Sequence, residues 1–507
     1  MPHTRPVSRL SLILAACAWA LGSSARAQER DLDVVLAGGR VMDPETGLDA
    51  VRHVGLRADR IAAVSEKPLD ARLVPGGARI DVAGLVVAPG FIDLHAHGQS
   101  ARANEFQAHD GVTTALELEW GAAEVARWLA SRAGRALVHY GASVSHGDVR
   151  TLVIPAVADR AKAELAAVTG DFDAFRASPE SALLQGRRET LTDDLLPTLR
   201  AALEAGLRQG GLGIGMAHQY YPQTDRREIF RVFQYAARWD VPIFTHVRAM
   251  GMDAMQEVVA NAAATGASLH IVHANSMSLG QLPLVLDLIE GAQRRGLDVT
   301  TEAYPYTAGS TGIESAIFDD GWRERLGIDY GDVQWQATRE RLTADSFARY
   351  RRQGGIVIIH FMKEEMIDLA MRTPFVMVAS DGMPYASGAH PRSAGTFSRV
   401  LGRYVRERKA LGLMDALRKM TLLPALRLEK LSAAMKTKGR LREGADADVT
   451  VFDPATVRDT ATFETDLSFS EGIRHVFVAG TAVVKDGLTV KGVFPGRPIL
   501  GRYGQKP

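Results

Sequence analysis

The apolar run "VVAPGFIDLHAH" ends in two histidines one residue apart, His95 and His97. Side chains two apart on a strand share a face, so both imidazoles can reach one ion. The competing reading is a pair of histidines making ordinary hydrogen bonds at a strand end. Other runs end in the same way: "PIFTHVR" places His246, "LHIVHANS" places His270 and His273, and "FVMVASDG" ends on Asp381. Of the sixth-run pair, His273 lies nearer the end and is the expected ligand, while His270 is expected to face outward as a packed or hydrogen-bonded residue.

A two-metal site needs a bridging anion, and no lysine ends the fourth run, "GLGIGMAHQ". The second run, "TTALELEW", has Glu117 and Glu119 on one face. Glu119 is nearer the strand end and is the expected bridge, with Glu117 a layer deeper. Buried carboxylates are costly unless paired or bound to cations, and salt bridges to interior arginines are the alternative. With imidazole and carboxylate ligands and no thiolate, the expected ion is zinc, two per chain. The chemistry is metal-assisted hydrolysis, in which Asp381 ligates and also moves the water's proton to the leaving nitrogen.

These residues need a frame that gathers strand ends. Eight strand-like runs alternate with helix-length segments such as "TDDLLPTLRAALEAGLRQG" and "REIFRVFQYAARWD", which predicts an α/β chain with a closed parallel (β/α)8 barrel over 89–430. Catalytic groups of such barrels sit at the C-terminal strand ends. Short strands with turns fill 28–88 and 431–507, predicting one small β-domain built from both termini. A loop-rich or helical insertion is expected near 168–195.

The 507 residues are 46% hydrophobic, with a net charge of +1. That balance argues against nucleic acid as a partner. Residues 1–27 read as a secretory signal peptide: Arg5 and Arg9, an apolar run to Leu21, then Ala25-Arg26-Ala27. A periplasmic or secreted enzyme cleaved near Ala27 is expected; lipoprotein anchoring at Cys17, the single cysteine, is the alternative. No segment is long enough to span a membrane. The oligomeric state is not written in the sequence.

Together, "APGFIDLHAH", "GVTT", "THVR", "YPYTAGST", "SDG", "HPRSAGTFSRVLGRYVRE", "GADADVTVFDP" and "GIRHVFVAG" resemble the amidohydrolase superfamily and, within it, the N-acyl-D-amino-acid deacylases. The resemblance implies a deformed (β/α)8 TIM barrel with a small β-sandwich, hydrolysing linear amides of N-acyl amino acids. By position it implies that His246 and His273 are ligands and that His95 and His97 serve a second metal. It makes Asp381 the acid/base and Arg392 the group that binds the substrate carboxylate. Tyr304 and Ser310 fall in the segment supplying further carboxylate contacts, with Tyr306 the alternative to Tyr304. Two departures stand out. The family's cysteine ligand falls on Trp120, which shifts that role to Glu119. Where deacylases of acidic amino acids have His-His-Lys, this chain has His273-Ala274-Asn275, which argues against D-glutamate or D-aspartate as product. Alternatives from other classes are a cyclic amide hydrolase related to dihydropyrimidinase and a non-catalytic barrel that binds ligands.

Overall fold

The computed structural model describes residues 31–168 and 181–504. The leader predicted over 1–27, with Cys17, lies outside the described residues, as does part of the insertion expected near 168–195. Among the described residues no helix is long and apolar enough to cross a membrane.

Eight parallel strands follow one another in chain order around the barrel: Phe91–Asp93, Val112–Ala122, His139–Ser145, Ile214–Ala217, Ile243–His246, Leu269–Ile271, Val299–Ala303 and Val376–Val378. First and eighth strands meet through a parallel bridge between Ala96 and Gly382. The buried Asp93 carboxylate clasps the same seam by accepting from Ser380 N and Ser380 Oγ. Burial pushes the Asp93 pKa up, to about 6 against the pull of those bonds.

Helices cover the barrel because their apolar residues recur on one face. In Arg226–Trp239, Ile229, Val232, Phe233 and Ala236 are buried, and Asp225 caps the start by accepting from Glu228 N. The strands alternate in the complementary sense. Leu116 and Leu118 join the helix-facing core, which turns Glu117 and Glu119 into the barrel. Each large aliphatic side chain so buried contributes roughly 1.5–3 kcal/mol.

The apolar run ending at His97 is two strands. Val86–Pro89 pairs with Val449–Phe452 and Leu32–Asp43 in a nine-stranded sheet made from both ends of the chain. Gly90 then turns the chain into the barrel, where a Cβ would lie 2.2 Å from Thr113 Oγ1. A three-stranded antiparallel sheet not foreseen from the sequence, Ala308–Gly312, Ile356–His360 and Val333–Trp335, is inserted between the seventh and eighth barrel strands. It has its own apolar core, including Trp322, Trp335 and Phe347.

Candidate metal centre and substrate cavity

Glu119 sits at the middle of the barrel mouth, 3% exposed. Its Oε2 lies 3.2 Å from His95 Nε2 and 3.3 Å from His97 Nε2. Its Oε1 lies 2.8 Å from His246 Nδ1 and 3.2 Å from His273 Nε2. One carboxylate therefore faces a histidine pair with each oxygen, the arrangement of a ligand shared by two cations. Asp381 Oδ1 stands 3.4 Å and 3.5 Å from the His95 and His97 Nε2 atoms.

The rear nitrogens of three of these rings are held. His95 Nδ1 donates to Glu302 Oε1 at 2.6 Å, His97 Nδ1 to Glu117 Oε2 at 2.8 Å, and His246 Nε2 to Gln219 Oε1 at 2.7 Å. In the neutral ring each front nitrogen then carries the lone pair, and the front nitrogens of His95 and His97 converge to 3.1 Å. Two bare lone pairs this close repel unless a cation or a proton lies between them, so the donor set fits a metal. Grouped ligand atoms sort into His95, Glu119 and His273, and into His95, His97 and Asp381. Imidazole and carboxylate ligands without thiolate suit zinc.

The electrostatics agree. Burial disfavours a charged His95, yet Asp381, Glu119 and Glu302 outweigh it and hold its pKa well above the ordinary value. For His97, burial is again outweighed, by Glu117 and Asp381 foremost. Burial pushes Glu302 up, but His95 and His270 bring it down to about 2. The Asp381 carboxyl, likewise opposed by burial, is kept well below the usual carboxylate range by Arg392 and His95. The centre is a buried, ionised carboxylate cluster that attracts positive charge.

Two left-handed residues aim these side chains. His273 (φ 30°) leaves the sixth strand, and Asp381 (φ 50°) follows the eighth. Such backbone costs of order 1–3 kcal/mol in a residue with a Cβ and persists where packing imposes it.

Some expectations need correction. His270 does not face outward: Leu269 and Ile271 pack on the helices, so alternation turns His270 into the barrel. There its Nε2 donates to Glu302 Oε2 at 3.0 Å and its Nδ1 meets Thr300 Oγ1 at 2.8 Å. Glu117, expected a layer deeper than Glu119, is the partner behind His97, its Oε2 accepting from Nδ1. Glu302 and Gln219 were not singled out, although a glutamate inside the strand "VTTEA" is itself a signal, since an interior carboxylate needs partners.

A cavity of 560 Å³ opens above the centre. Arg392, 1% exposed at its side chain, pairs with Asp381 Oδ2 at 2.8 Å and lies over the Tyr304 ring, its guanidinium carbon 4.7 Å from the centroid. Its Nε has no hydrogen-bond partner, nor has Ser310 Oγ, and both residues line the cavity. Burial raises the Tyr304 hydroxyl to about 12. Tyr306 does not line the cavity; its hydroxyl donates to Asp459 Oδ2 at 3.2 Å.

A barrel whose strand ends present four imidazoles around a shared carboxylate, with an aspartate after the eighth strand, defines a metal-dependent hydrolase. A profile described as "Amidohydrolase family" matches residues 78–484, and the chain belongs to that family. It is 32% identical over 477 residues to N-acyl-D-glutamate deacylase of Alcaligenes xylosoxydans xylosoxydans, covering 90% of this chain and 94% of that one. A solved D-aminoacylase, described for the functional role of its binuclear metal center, superposes with a TM-score of 0.75 at 28% identity. The match covers 92% of this chain and 100% of that one. N-acyl-D-glutamate deacylase from Bordetella bronchiseptica, solved with zinc and a phosphonate inhibitor, gives 0.73 at 26% identity, covering 94% and 99%.

Proposed function

We propose that this amidohydrolase is an exported, zinc-dependent N-acyl-D-amino-acid deacylase that uses two metals. The observation carrying the substrate class is the pair of unpartnered polar groups, Arg392 Nε and Ser310 Oγ, beside Asp381. Leaving buried donors unsatisfied costs about 1–3 kcal/mol each. A substrate α-carboxylate satisfies both, and a guanidinium is the side chain best shaped to hold it. A cyclic amide without a free carboxylate leaves them empty, which disfavours the dihydropyrimidinase-like alternative. A barrel serving only to bind ligands has no need of the complete ligand set around Glu119.

Zinc, when bound, acidifies water and polarises the amide carbonyl. His95, His97, His246, His273 and Glu119 would hold it. Asp381, kept ionised by Arg392, accepts the proton of the attacking water through a carboxylate oxygen and returns it to the leaving nitrogen. Arg392 and Ser310 orient the amide by its carboxylate, and Tyr304 seats the guanidinium.

The side-chain preference follows from residues 273–275. Ala274 is packed in the core, and Asn275 Nδ2 donates to the Tyr304 carbonyl at 3.0 Å, so this turn offers no cation to an acidic side chain. The product is accordingly an uncharged D-amino acid. The test is a panel of N-acetyl D- and L-amino acids plus dihydrouracil and hydantoin, assayed with zinc-loaded enzyme. Release of D-amino acid is expected, and turnover confined to the cyclic amides would overturn the assignment. For export, the mass of the mature protein is expected to place its first residue near Gln28, and retention of residues 1–27 would contradict it.

A further inference from the structure

Arg392 is paired; a second arginine in the same cavity is not. Arg187 lies over the Trp120 ring with its guanidinium carbon 4.5 Å from the centroid, and both line the cavity. Its Nε is buried without a hydrogen-bond partner, and among the described residues no carboxylate forms an ion pair with it. The neighbouring acid is occupied. Asp148 accepts from the Trp120 indole at 3.0 Å through Oδ2 and from the Tyr221 hydroxyl at 3.1 Å through Oδ1. Trp120 is thus fixed at its N–H, with Arg187 held over its ring.

The barrel's strand order says which part of a substrate would meet this arginine. Arg392 follows the eighth strand and rests on Tyr304, which follows the seventh. Trp120 lies on the second, Asp148 follows the third, and Tyr221 follows the fourth, across the mouth with the metal ligands between. In an N-acyl amino acid the α-carboxylate and the acyl chain leave the amide in opposite directions. With the carboxylate at Arg392 and the carbonyl over the centre, the acyl chain runs to the Trp120 wall, where Leu183 and Leu184 also line the cavity.

We propose that Arg187, seated on Trp120, forms a second anion subsite, so that the preferred acyl group ends in its own carboxylate, as in the succinyl class of dicarboxylic acyl groups. This rests on the deacylase reading above. The apolar wall takes the methylenes and the guanidinium takes the terminal carboxylate, a charge-assisted pair in a partly desolvated site.

The test compares N-succinyl with N-butyryl derivatives of one uncharged D-amino acid, near-isosteric acyl groups differing in the terminal charge. Wild-type enzyme is expected to favour succinyl in kcat/KM by about 10–100-fold, the worth of a hydrogen bond to a charged group. Arg187→Gln is expected to bring that ratio close to one, and Arg187→Lys to leave it intermediate. A wild-type ratio near one, or a high ratio that persists in Arg187→Gln, overturns the subsite. A preference for N-acetyl-D-glutamate that vanishes in Arg187→Gln would move the subsite to the amino-acid side chain and overturn the acyl assignment. Calorimetric titration of succinate and of butyrate into zinc-loaded wild-type and Arg187→Lys enzyme reads the same preference without turnover. Absence of all deacylation therefore counts against the proposed reaction, while the titration decides the subsite.

Discussion

Asp381→Asn is expected to lower kcat by about 10²–10⁴-fold, the usual contribution of a positioned acid/base, with zinc still bound. Asparagine keeps an oxygen that can face the His95 and His97 Nε2 atoms, 3.4 Å and 3.5 Å from the native Oδ1, but its neutral amide cannot take a proton from water. It also removes the negative partner of Arg392, now 2.8 Å away. The freed guanidinium can turn wholly to a substrate carboxylate, so KM is expected to hold or fall while kcat collapses, the pattern of a group acting in the transition state. Steady-state kinetics beside metal analysis of the same preparation checks both halves. Full activity, or loss of metal in step with activity, would remove Asp381 from its role.

A second large effect is expected at Glu119. Glu119→Ala should abolish the shared anion, leaving His95, His97, His246 and His273 with nothing between them. Zinc content is expected to fall below two per chain and activity by more than the 10–100-fold that follows loss of a partner behind a ligand. Glu302→Gln gives the contrast. Glu302 touches no front nitrogen but holds His95 Nδ1, so its loss is expected to stay within about 10–100-fold. Zinc stoichiometry by plasma emission, with kcat/KM at saturating zinc, separates the two. If Glu119→Ala keeps two zinc ions, Glu119 is not the bridge.

Much of this was legible because barrel chemistry happens at strand ends. Each apolar run closes on its polar residue, so His95, His97, Glu119, His246, His273 and Asp381 could be read as one face before any coordinates, and the structure gathers them around Glu119. His270 was misread because the sixth strand ends at Ile271 and His273 turns through a left-handed backbone, so alternation does not link the two histidines. The inserted sheet escaped notice because "AGSTG" has small polar residues and no apolar alternation, its pairing being supplied by distant residues 356–360. Gln219 follows its strand as an ordinary polar residue, and only the 2.7 Å approach to His246 gives it a role. Arg187 stands outside any strand, and its meeting with Trp120 is a tertiary fact.

The seam between the first and eighth strands also bears on how the molecule comes into being. Asp93 and Ser380 are 287 residues apart in the chain, and the candidate ligands His95 and Asp381 flank that clasp. Closing so long a loop costs entropy that no local contact repays. During synthesis the ribosome must release the eighth strand before the aspartate can join the histidines. Completion of the site by Asp381 is therefore a late event in folding, and a chain interrupted before residue 376 would hold the histidines and Glu119 without the group that completes their chemistry.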